Sequence, residues 1–247
     1  MKNEHLFGLH SVQAVLKSAP QRVLEVFMVQ GRNDQKLTKI LHAAQANNIG
    51  CKIVDRKKLD DMVGDENHQG VVAVCTPGEI HDERFLFELI DNLNEPALVL
   101  ILDGVTDPHN LGACMRTAEA AGVHVVVVPK DKSVGLTPVA RKVACGAAEV
   151  LPLVPVTNLA RTLKKLQEKG IWLFGAAGEA DGSVYQANLT GNVGILMGAE
   201  GDGLRRLTQE TCDHLINIPM AGTVSSLNVS VATGVVLFEA VRQRSAK

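Results

Sequence analysis

Three segments of this 247-residue chain combine polar side chains with glycine, and each contains or follows an apolar run. They span residues 103–122, 194–204 and 215–240. Strand-to-helix loops of this kind lie at the carboxyl edge of α/β sheets, where backbone N–H groups and helix N-termini can face a ligand. The polar residues of the first segment are of the kind that act on phosphate and ribose. Together the segments predict a ligand-binding enzyme.

Asn110 and Arg116 are the candidates in the first segment. Asn110 follows Asp-Pro-His directly before a helical pattern, so it could cap a helix or contact a ligand. Arg116 lies nearly two turns further along an otherwise apolar helix, where a buried guanidinium is costly unless it meets an anion. The alternative is that Arg116 extends to solvent or pairs with Asp103 or Asp107.

The other two segments add a carboxylate and two further polar residues. Glu200 lies among the glycines of residues 198–203, whose order and late position do not match the dinucleotide fingerprint. This loop could be only a tight turn, but a carboxylate between close-packed glycines can reach a ligand with little obstruction. Ser226 and Asn228 precede another helical pattern, and capping is again the alternative to ligand binding.

The elements that must position these residues alternate between strand and helix from residue 97 onward. Unbroken apolar runs, typical of parallel strands covered on both faces, occur at residues 97–102, 123–128, 171–174, 193–197 and 215–218. Helical patterns lie at residues 111–121, 138–147, 159–168, 204–212 and 229–242. Thr137 and Asn158 supply capping chemistry for two of them. The alternation predicts an α/β fold with a doubly wound parallel sheet.

The first 76 residues predict a separate, small α/β domain. Helices are predicted near residues 11–17, 36–46 and 56–62, and strands near residues 23–29, 52–54 and 70–75. A domain of about 75 residues is near the lower limit for independent folding. Residues 77–96 hold six acidic side chains against one basic one, and we interpret them as an acidic linker.

Composition limits the class of protein. No apolar run approaches the roughly 18–20 residues of a membrane span, and the start MKNEHLFGLH lacks the apolar core of a secretory signal, so a cytoplasmic location is expected. The five scattered cysteines have no partners at metal-ligand spacing, so no metal site is expected. The net charge of −2 gives no global sign of nucleic-acid binding, although residues 1–76 hold ten basic against eight acidic side chains.

The three segments resemble the motifs of the SpoU (TrmH-like) family of RNA ribose 2′-O-methyltransferases, within the SPOUT superfamily. The first motif is Asn-Leu-Gly followed by Arg-Thr-Ala, the second is Met-Gly-Ala-Glu-Gly, and the third is Ile-Pro-Met followed by Ser-Ser-Leu-Asn-Val-Ser; they stand at 110–118, 197–201 and 218–230. All three occur in the family's order. Residues 97–247 look like its knotted methyltransferase domain, and residues 1–76 look like the small RNA substrate-binding domain of some members.

The resemblance implies S-adenosylmethionine as the cofactor, a deep trefoil knot near the C-terminus and a homodimer. Within the family, the whole chain looks most similar to members that methylate the ribose of a guanosine in 23S ribosomal RNA. This RNA or its precursor is therefore the expected partner. The strongly apolar helix at residues 229–242 also favours a dimer, and burial within its own domain is the alternative.

The resemblance further implies roles in the displacement of a sulfonium methyl group by a ribose 2′-hydroxyl. Arg116 would clamp the neighbouring phosphate and stabilise a developing alkoxide; a guanidinium, which keeps its proton in proteins, is a poor general base. Asn110 and Glu200 would orient the ribose, Arg116 or both. Ser226 and Asn228 would position the hydroxyl and hold the cofactor loop.

Three more positions, Gly198, Ile218 and Leu227, match family positions whose backbone contacts the adenosine of the cofactor. Two other functions stay open. A transfer-RNA ribose methyltransferase of the same family would carry the same catalytic motifs, because these serve the cofactor and the ribose. A non-catalytic RNA-binding or ribosome-assembly protein could keep the fold, but the intact polar residues of the motifs argue against it.

Overall fold

The computed structural model describes residues 3–32, 34–64, 66–201 and 203–245. The chain divides into two compact units. Unit 1 comprises Met1–Glu79 together with Arg141–Val150, and unit 2 comprises Ile80–Ala140 together with Leu151–Lys247. Unit 1 is therefore discontinuous in sequence.

Unit 1 is an α/β unit with a mixed sheet. Its elements in chain order are β1 (Glu4–Phe7), α1 (Leu9–Ser18), β2 (Val23–Val29), α2 (Gln35–Ala46), β3 (Gly50–Val54), α3 (Arg56–Val63) and β4 (Val71–Cys75). The strand order is β1-β4-β2-β3; β2 and β3 are parallel, and β4 runs antiparallel to β1 and β2. All six elements predicted between residues 11 and 75 are confirmed, and the short β1 is an addition.

Helix α6 (Pro138–Val143) is shorter than the predicted 138–147. The prediction was wrong at its C-terminal end because Cys145 and Gly146 adopt left-handed conformations, with φ of 52° and 95°. A side chain at Gly146 would also meet the Cβ of Ala14 at 2.6 Å. The chain can make this turn only with glycine at that position.

A buried carboxylate fixes the segment that follows within unit 1. A one-turn 3-10 helix (Ala147–Glu149) ends on Glu149, whose side chain is 1% exposed. Its carboxylate accepts hydrogen bonds from Arg22 at 3.0 Å and Arg141 at 2.6 Å. Two guanidinium partners supply the pairing that a buried charge requires.

Unit 2 is built on a seven-stranded sheet. Its further elements are α4 (Glu83–Asp91), β5 (Leu98–Asp103), α5 (Pro108–Ala120), β6 (Val125–Pro129), β7 (Leu153–Val156), α7 (Leu159–Glu168), β8 (Trp172–Ala176), β9 (Gly182–Ser183), β10 (Val193–Gly198), α8 (Arg206–Thr211), β11 (His214–Asn217) and α9 (Val229–Ser245). The strand order is β7-β6-β5-β10-β8-β11-β9, and every neighbouring pair is parallel. The predicted α/β fold with a parallel sheet is confirmed, and β7 and β9 extend it at its two edges.

Both faces of this sheet are covered. Val99 and Ile101 of β5 lie in one buried cluster with Leu163 of α7 and Leu86 of α4. The alternate residues of β5 point to the opposite face and are equally buried; they are Leu98, Leu100 and Leu102. Helices α5 and α9 pack against each other, and α9 packs against β10.

Helix α4 lies inside the segment interpreted as an acidic linker. Asp82 caps it by accepting a hydrogen bond from the Phe85 N–H at 3.0 Å. Leu86 is fully buried, and Phe85 and Phe87 pack against the same cluster. Residues 83–91 thus contribute to the core of unit 2.

The carboxyl ends of four neighbouring strands meet at one edge of the sheet. Gly198 at the end of β10 pairs with Asp103 at the end of β5. β8 and β11 are the next strands in the sheet and run in the same direction. The loops after β5, β10 and β11 are the three segments singled out in the sequence, so the fold brings them together.

Candidate active site

Three of the predicted catalytic residues form one hydrogen-bonded cluster at this edge. The Nδ2 of Asn228 donates to Oδ1 of Asn110 at 3.0 Å and also to Oε1 of Glu200. These residues come from the three segments that follow β5, β10 and β11, and Asn110 and Asn228 are 118 positions apart in the chain. Both amide protons of Asn228 are used, so the three side chains hold each other in place.

The acceptor side of Asn228 is occupied as well. Its Oδ1 accepts from the backbone N–H of Ser230 at 2.9 Å and from the Ser230 hydroxyl at 2.6 Å. Asn228 therefore caps α9 and joins the cluster at once. Capping and a functional role, weighed as alternatives in the sequence, coexist at this residue.

Asn110 lies in the first turn of α5 and is 8% exposed. The cap of this helix is Asp107, which accepts from the His109 N–H at 2.9 Å. Pro108 occupies the first helical position, where its missing N–H costs nothing. Asn110 is thus not needed for capping, and its side chain is available to Asn228.

Glu200 stands on a closed glycine-rich loop, residues 198–204, which we call the Glu200 loop. Ala199 and Gly203 exchange two backbone hydrogen bonds of 3.1 and 3.0 Å across it. A Cβ at Gly198 would lie 2.0 Å from the carbonyl carbon of Gly203, so no side chain fits there. Gly201 and Gly203 have φ of 85° and 65°. Asp202 lies outside the described residues.

A pocket of about 520 Å³ opens beside the cluster. Six of the eight predicted site residues line it, namely Gly198, Glu200, Ile218, Ser226, Leu227 and Asn228. Within the described part of the chain, residues 218–227 make no hydrogen bonds, so their peptide groups are available to a ligand. The pocket also has apolar side chains, among them Met197 and Met220.

Arg116 is the predicted site residue that belongs neither to this cluster nor to the pocket lining. It is exposed, it does not line the pocket, and it has no ion-pair partner among the described residues. Of the alternatives left open by the sequence, the structure shows the one in which Arg116 extends to solvent, because its side chain faces away from the buried side of α5. Pairing with Asp103 or Asp107 is also absent, since Asp103 binds Arg205 and Asp107 caps α5.

One side of the pocket was missed in the sequence. The loop after β8 contributes Ala177, Gly178 and Glu179, and Gln209 of α8 reaches Glu179 at 2.9 Å. Hydrogen bonds from its own backbone N–H and from Gln209 lower the pKa of Glu179. The sequence did carry a signal for this loop, because a glycine and an acidic residue follow a predicted strand. That the loop belongs to the pocket, however, depends on the position of β8 between β10 and β11, which the sequence does not show.

Thiol and metal chemistry find little support at this edge. Burial raises the pKa of the Cys114 thiol on α5 to about 11 and that of Cys212 to about 12, so both stay protonated at neutral pH. Within the described ranges, no group of three His, Cys, Asp or Glu side chains is placed to hold a metal ion.

Among the helices of the described residues, none has the length and apolar character needed to span a membrane.

Comparison with known proteins identifies both parts of the chain. Residues 97–238 match the SpoU rRNA Methylase family, and residues 5–81 match a domain described as RNA 2′-O ribose methyltransferase substrate binding. The solved structure of the SpoU methyltransferase AviRb from Streptomyces viridochromogenes, in complex with AdoMet, has the same fold. Its TM-score is 0.79 at 23% identity, over 99% of this chain and 92% of that one.

Full-length relatives are considerably more similar. The chain is 56% identical to the 23S rRNA (guanosine-2′-O-)-methyltransferase RlmB of Escherichia coli (strain K12), over 98% of this chain and all of that protein. It is 57% identical to the protein of the same name from Pseudomonas syringae pv. tomato, over 99% of this chain and 97% of that protein. The motifs, the parallel sheet and these similarities agree, and the chain belongs to the SpoU rRNA methylase family.

Proposed function

We propose that this protein transfers a methyl group from S-adenosylmethionine to the ribose 2′-hydroxyl of a guanosine in 23S ribosomal RNA. The observation that carries this proposal is the identity of 56–57%, over nearly the full length of both chains, to proteins named for that reaction. The similarity includes the region of unit 1 as well as the methylase region. It therefore extends beyond the motifs that serve the cofactor and the ribose.

The pocket beside the cluster fits S-adenosylmethionine in size and in chemistry. A volume of about 520 Å³ lies within the range of small-ligand pockets. The available peptide groups of residues 218–227 suit the hydrogen-bonding edge of an adenine and the polar ends of a methionine. Gly198, Ile218 and Leu227 would hold the adenosine through their backbones, and the missing side chain at Gly198 leaves its backbone open to close approach.

When bound, S-adenosylmethionine supplies an electrophilic methyl group on a positively charged sulfur. The 2′-hydroxyl oxygen forms the new bond to this methyl carbon while the carbon–sulfur bond breaks, and the hydroxyl proton is lost. The protein must orient the hydroxyl in line with that bond and stabilise its developing charge. Glu200 and Asn228 of the cluster lie on the lining of the pocket, where such a hydroxyl would have to enter.

The roles of individual residues follow from their surroundings. Asn228 donates hydrogen bonds to both Glu200 and Asn110, and would thereby orient these two side chains toward the ribose. Ser226, exposed on the pocket lining, would position the hydroxyl. Arg116, exposed and without an ion-pair partner among the described residues, would bind the phosphate next to the reacting ribose and assist loss of the proton to that phosphate or to water.

The division of labour between the two regions is also a proposal. Residues 1–76 would bind the RNA, residues 77–96 would join the regions, and residues 97–247 would catalyse the transfer. In support, the first turn of α3 presents Arg56, Lys57 and Lys58 to solvent, with no salt bridge in the described part of the chain. Phosphate contacts from such a group would give affinity that weakens with salt.

The knot, the dimer and the location in the cytoplasm complete the proposal. For the trefoil knot, the support is that α9 follows β11 yet packs on α5 and β10, across the intervening β8. For the homodimer, the support is an exposed apolar pair on α9: Val231 is 53% and Phe238 49% exposed, seven residues apart on one helix face. For the cytoplasm, the support is the similarity to bacterial proteins named for a reaction on 23S ribosomal RNA.

Methyl transfer to different RNAs tests the function. The purified protein should incorporate tritiated methyl from S-adenosylmethionine into 23S ribosomal RNA lacking its modifications, and much less into unmodified transfer RNA. The reverse preference would favour a transfer-RNA methyltransferase. Incorporation into neither RNA, with RNA binding intact, would favour a non-catalytic assembly protein.

A further inference from the structure

Asp103 and Arg205 form a charge pair at the base of the Glu200 loop. Asp103 is the last residue of β5, and its side chain is fully buried. Arg205 follows the loop directly and is the residue before α8; its side chain is 44% exposed. The Asp103 Oδ1 accepts from Nε of Arg205 at 2.6 Å and from Nη2 as well. The Oδ2 accepts from the Arg205 backbone N–H at 3.2 Å.

The same aspartate contacts both ends of the Glu200 loop. Its backbone lies in register with Gly198, where the loop leaves β10. Its carboxylate binds the backbone and the guanidinium of Arg205, where the loop enters α8. Between these ends, Ala199 bonds with Gly203, Glu200 contacts Asn228, and Leu204 packs into the buried cluster on one face of the sheet.

We propose that Asp103 and Arg205 are positioning residues that hold the Glu200 loop in the geometry that binds the cofactor. A fully buried carboxylate needs its partners, because a lone charge in the interior is costly. This requirement keeps Arg205, and with it the C-terminal end of the loop, against β5. The Gly198 backbone and the Glu200 carboxylate, both on the pocket lining, are thereby fixed relative to the sheet.

The arrangement differs from an ordinary surface salt bridge, in which both partners are exposed and neither is fixed in a strand. The aspartate contributes both a side chain and a strand-pairing backbone, so displacing Arg205 changes the loop and leaves the strand in place. The neighbouring Arg206 offers the contrast. It is 87% exposed and pairs with Glu210 along α8, an interaction of small energy.

Hydrogen exchange and cofactor binding test the proposal on the full chain. The variants are Arg205→Ala, Arg205→Lys and Asp103→Asn, with Arg206→Ala as the matched control. Exchange is followed at the loop amides of Ala199 and Gly203 and at amides of β5, without cofactor. The dissociation constant of S-adenosylmethionine is measured by calorimetry without RNA, so the outcome does not depend on which RNA is the substrate.

Arg205→Ala should speed exchange of the two loop amides by roughly tenfold or more and weaken cofactor binding by roughly tenfold, with β5 unchanged. Arg205→Lys should be intermediate, because a lysine ammonium keeps the positive charge but lacks the planar guanidinium that donates two hydrogen bonds to the carboxylate. Arg206→Ala should match the wild type, and Asp103→Asn should match Arg205→Ala. If the Asp103 variant does not fold, the two Arg205 variants decide.

Two results would overturn the proposal. Loop exchange and cofactor binding within twofold of the wild type in Arg205→Ala would show that the pair does not position the loop. Equal acceleration of the loop and the β5 amides would assign the pair to the stability of the sheet instead.

Discussion

The amide–carboxylate cluster and Arg116 are two parts of the same candidate site, and they are held very differently. Asn110, Glu200 and Asn228 are joined by hydrogen bonds to one another. Arg116 is exposed on α5 and has no ion-pair partner among the described residues. The fold thus builds one part of the site in advance and leaves the other part available to an anion.

This difference separates two kinds of contribution to catalysis. A cluster fixed before binding pays its ordering entropy during folding and needs little rearrangement in the transition state. An exposed guanidinium contributes only when the substrate brings an anion to it, because its charge is otherwise solvated. Substitutions in the cluster should therefore alter the site even without RNA, whereas the effect of substituting Arg116 should appear only when RNA is present.

The largest effect is expected at Arg116. Arg116→Ala should lower single-turnover methyl transfer by about two orders of magnitude or more, the usual size for a lost electrostatic stabiliser. Calorimetry should show cofactor binding within a few-fold of the wild type, because this side chain does not line the pocket. Arg116→Lys keeps the positive charge but lacks the planar guanidinium that can bind a phosphate through two hydrogen bonds, so it should recover part of the rate of methyl transfer. Near-normal turnover of the alanine variant would remove Arg116 from the mechanism.

Asn228→Asp should break the cluster but keep the helix cap. The carboxylate can still accept from Ser230, but it offers no donor to Asn110 and repels Glu200. We expect methyl transfer to fall by roughly tenfold to a hundredfold, with little change in the melting temperature. Asn228→Ala, which also removes the cap of α9, should lower both methyl transfer and the melting temperature. Full activity of the aspartate variant would contradict a role for the cluster.

The basic turn of α3 should affect RNA binding alone. The double variant Lys57→Glu/Lys58→Glu should weaken RNA binding by roughly tenfold. The slope of the logarithm of the binding constant against the logarithm of the salt concentration should become shallower by about one for each phosphate that is no longer neutralised. Lys17→Glu, at an exposed position on α1, is the single-site control. Filter binding at several salt concentrations measures the effect. An unchanged slope would exclude Lys57 and Lys58 as phosphate-binding residues.

The smallest effect is expected at the other end of α9, far along the helix from Asn228. Hydrogen bonds from Arg242 and from Gln243 lower the pKa of Glu239 to about 2, well below that of an unfolded glutamate. A lowered folded-state pKa stabilises the protein above the unfolded value of about 4.3, and this stabilisation is lost as the pH falls toward 2. Glu239→Gln should therefore melt a few degrees lower at pH 7 and match the wild type near pH 2.

Activity is the discriminating control for this variant. At neutral pH and a temperature well below melting, Glu239→Gln should transfer methyl groups at the wild-type rate. A loss of activity there would show that the C-terminal part of α9 belongs to the functional machinery.

Local patterns were sufficient to predict much of the fold. The run at residues 23–29 is β2, and the five apolar runs after residue 97 are central strands, because buried parallel strands leave an uninterrupted apolar signature. Short edge strands leave no such pattern: β9 has two residues, and β7 has four, including Pro155. Helix α6 ended early because of left-handed backbone at Cys145, a conformation that residue type did not reveal.

The sequence was sufficient to propose which residues belong to the candidate site, but not how these residues contact one another. Asn110, Glu200 and Asn228 carry polar groups in segments that follow strands, which a sequence can show. Their mutual hydrogen bonds span up to 118 positions and depend on the strand order, which periodicity does not determine. Whether Arg116 is buried or exposed stayed open for a related reason: its neighbours are apolar, but which face of α5 is buried is decided by the packing of α9.

The most direct test of the central claim is a map of ribose methylation in the organism's ribosomal RNA. The map is compared between the wild type, a strain without this gene, and that strain complemented with the wild-type gene or the Arg116→Ala variant. We predict that one guanosine of 23S ribosomal RNA loses its 2′-O-methyl group in the deletion strain and regains it only with the wild-type gene. An unchanged map in the deletion strain, or restoration by Arg116→Ala, would contradict this account.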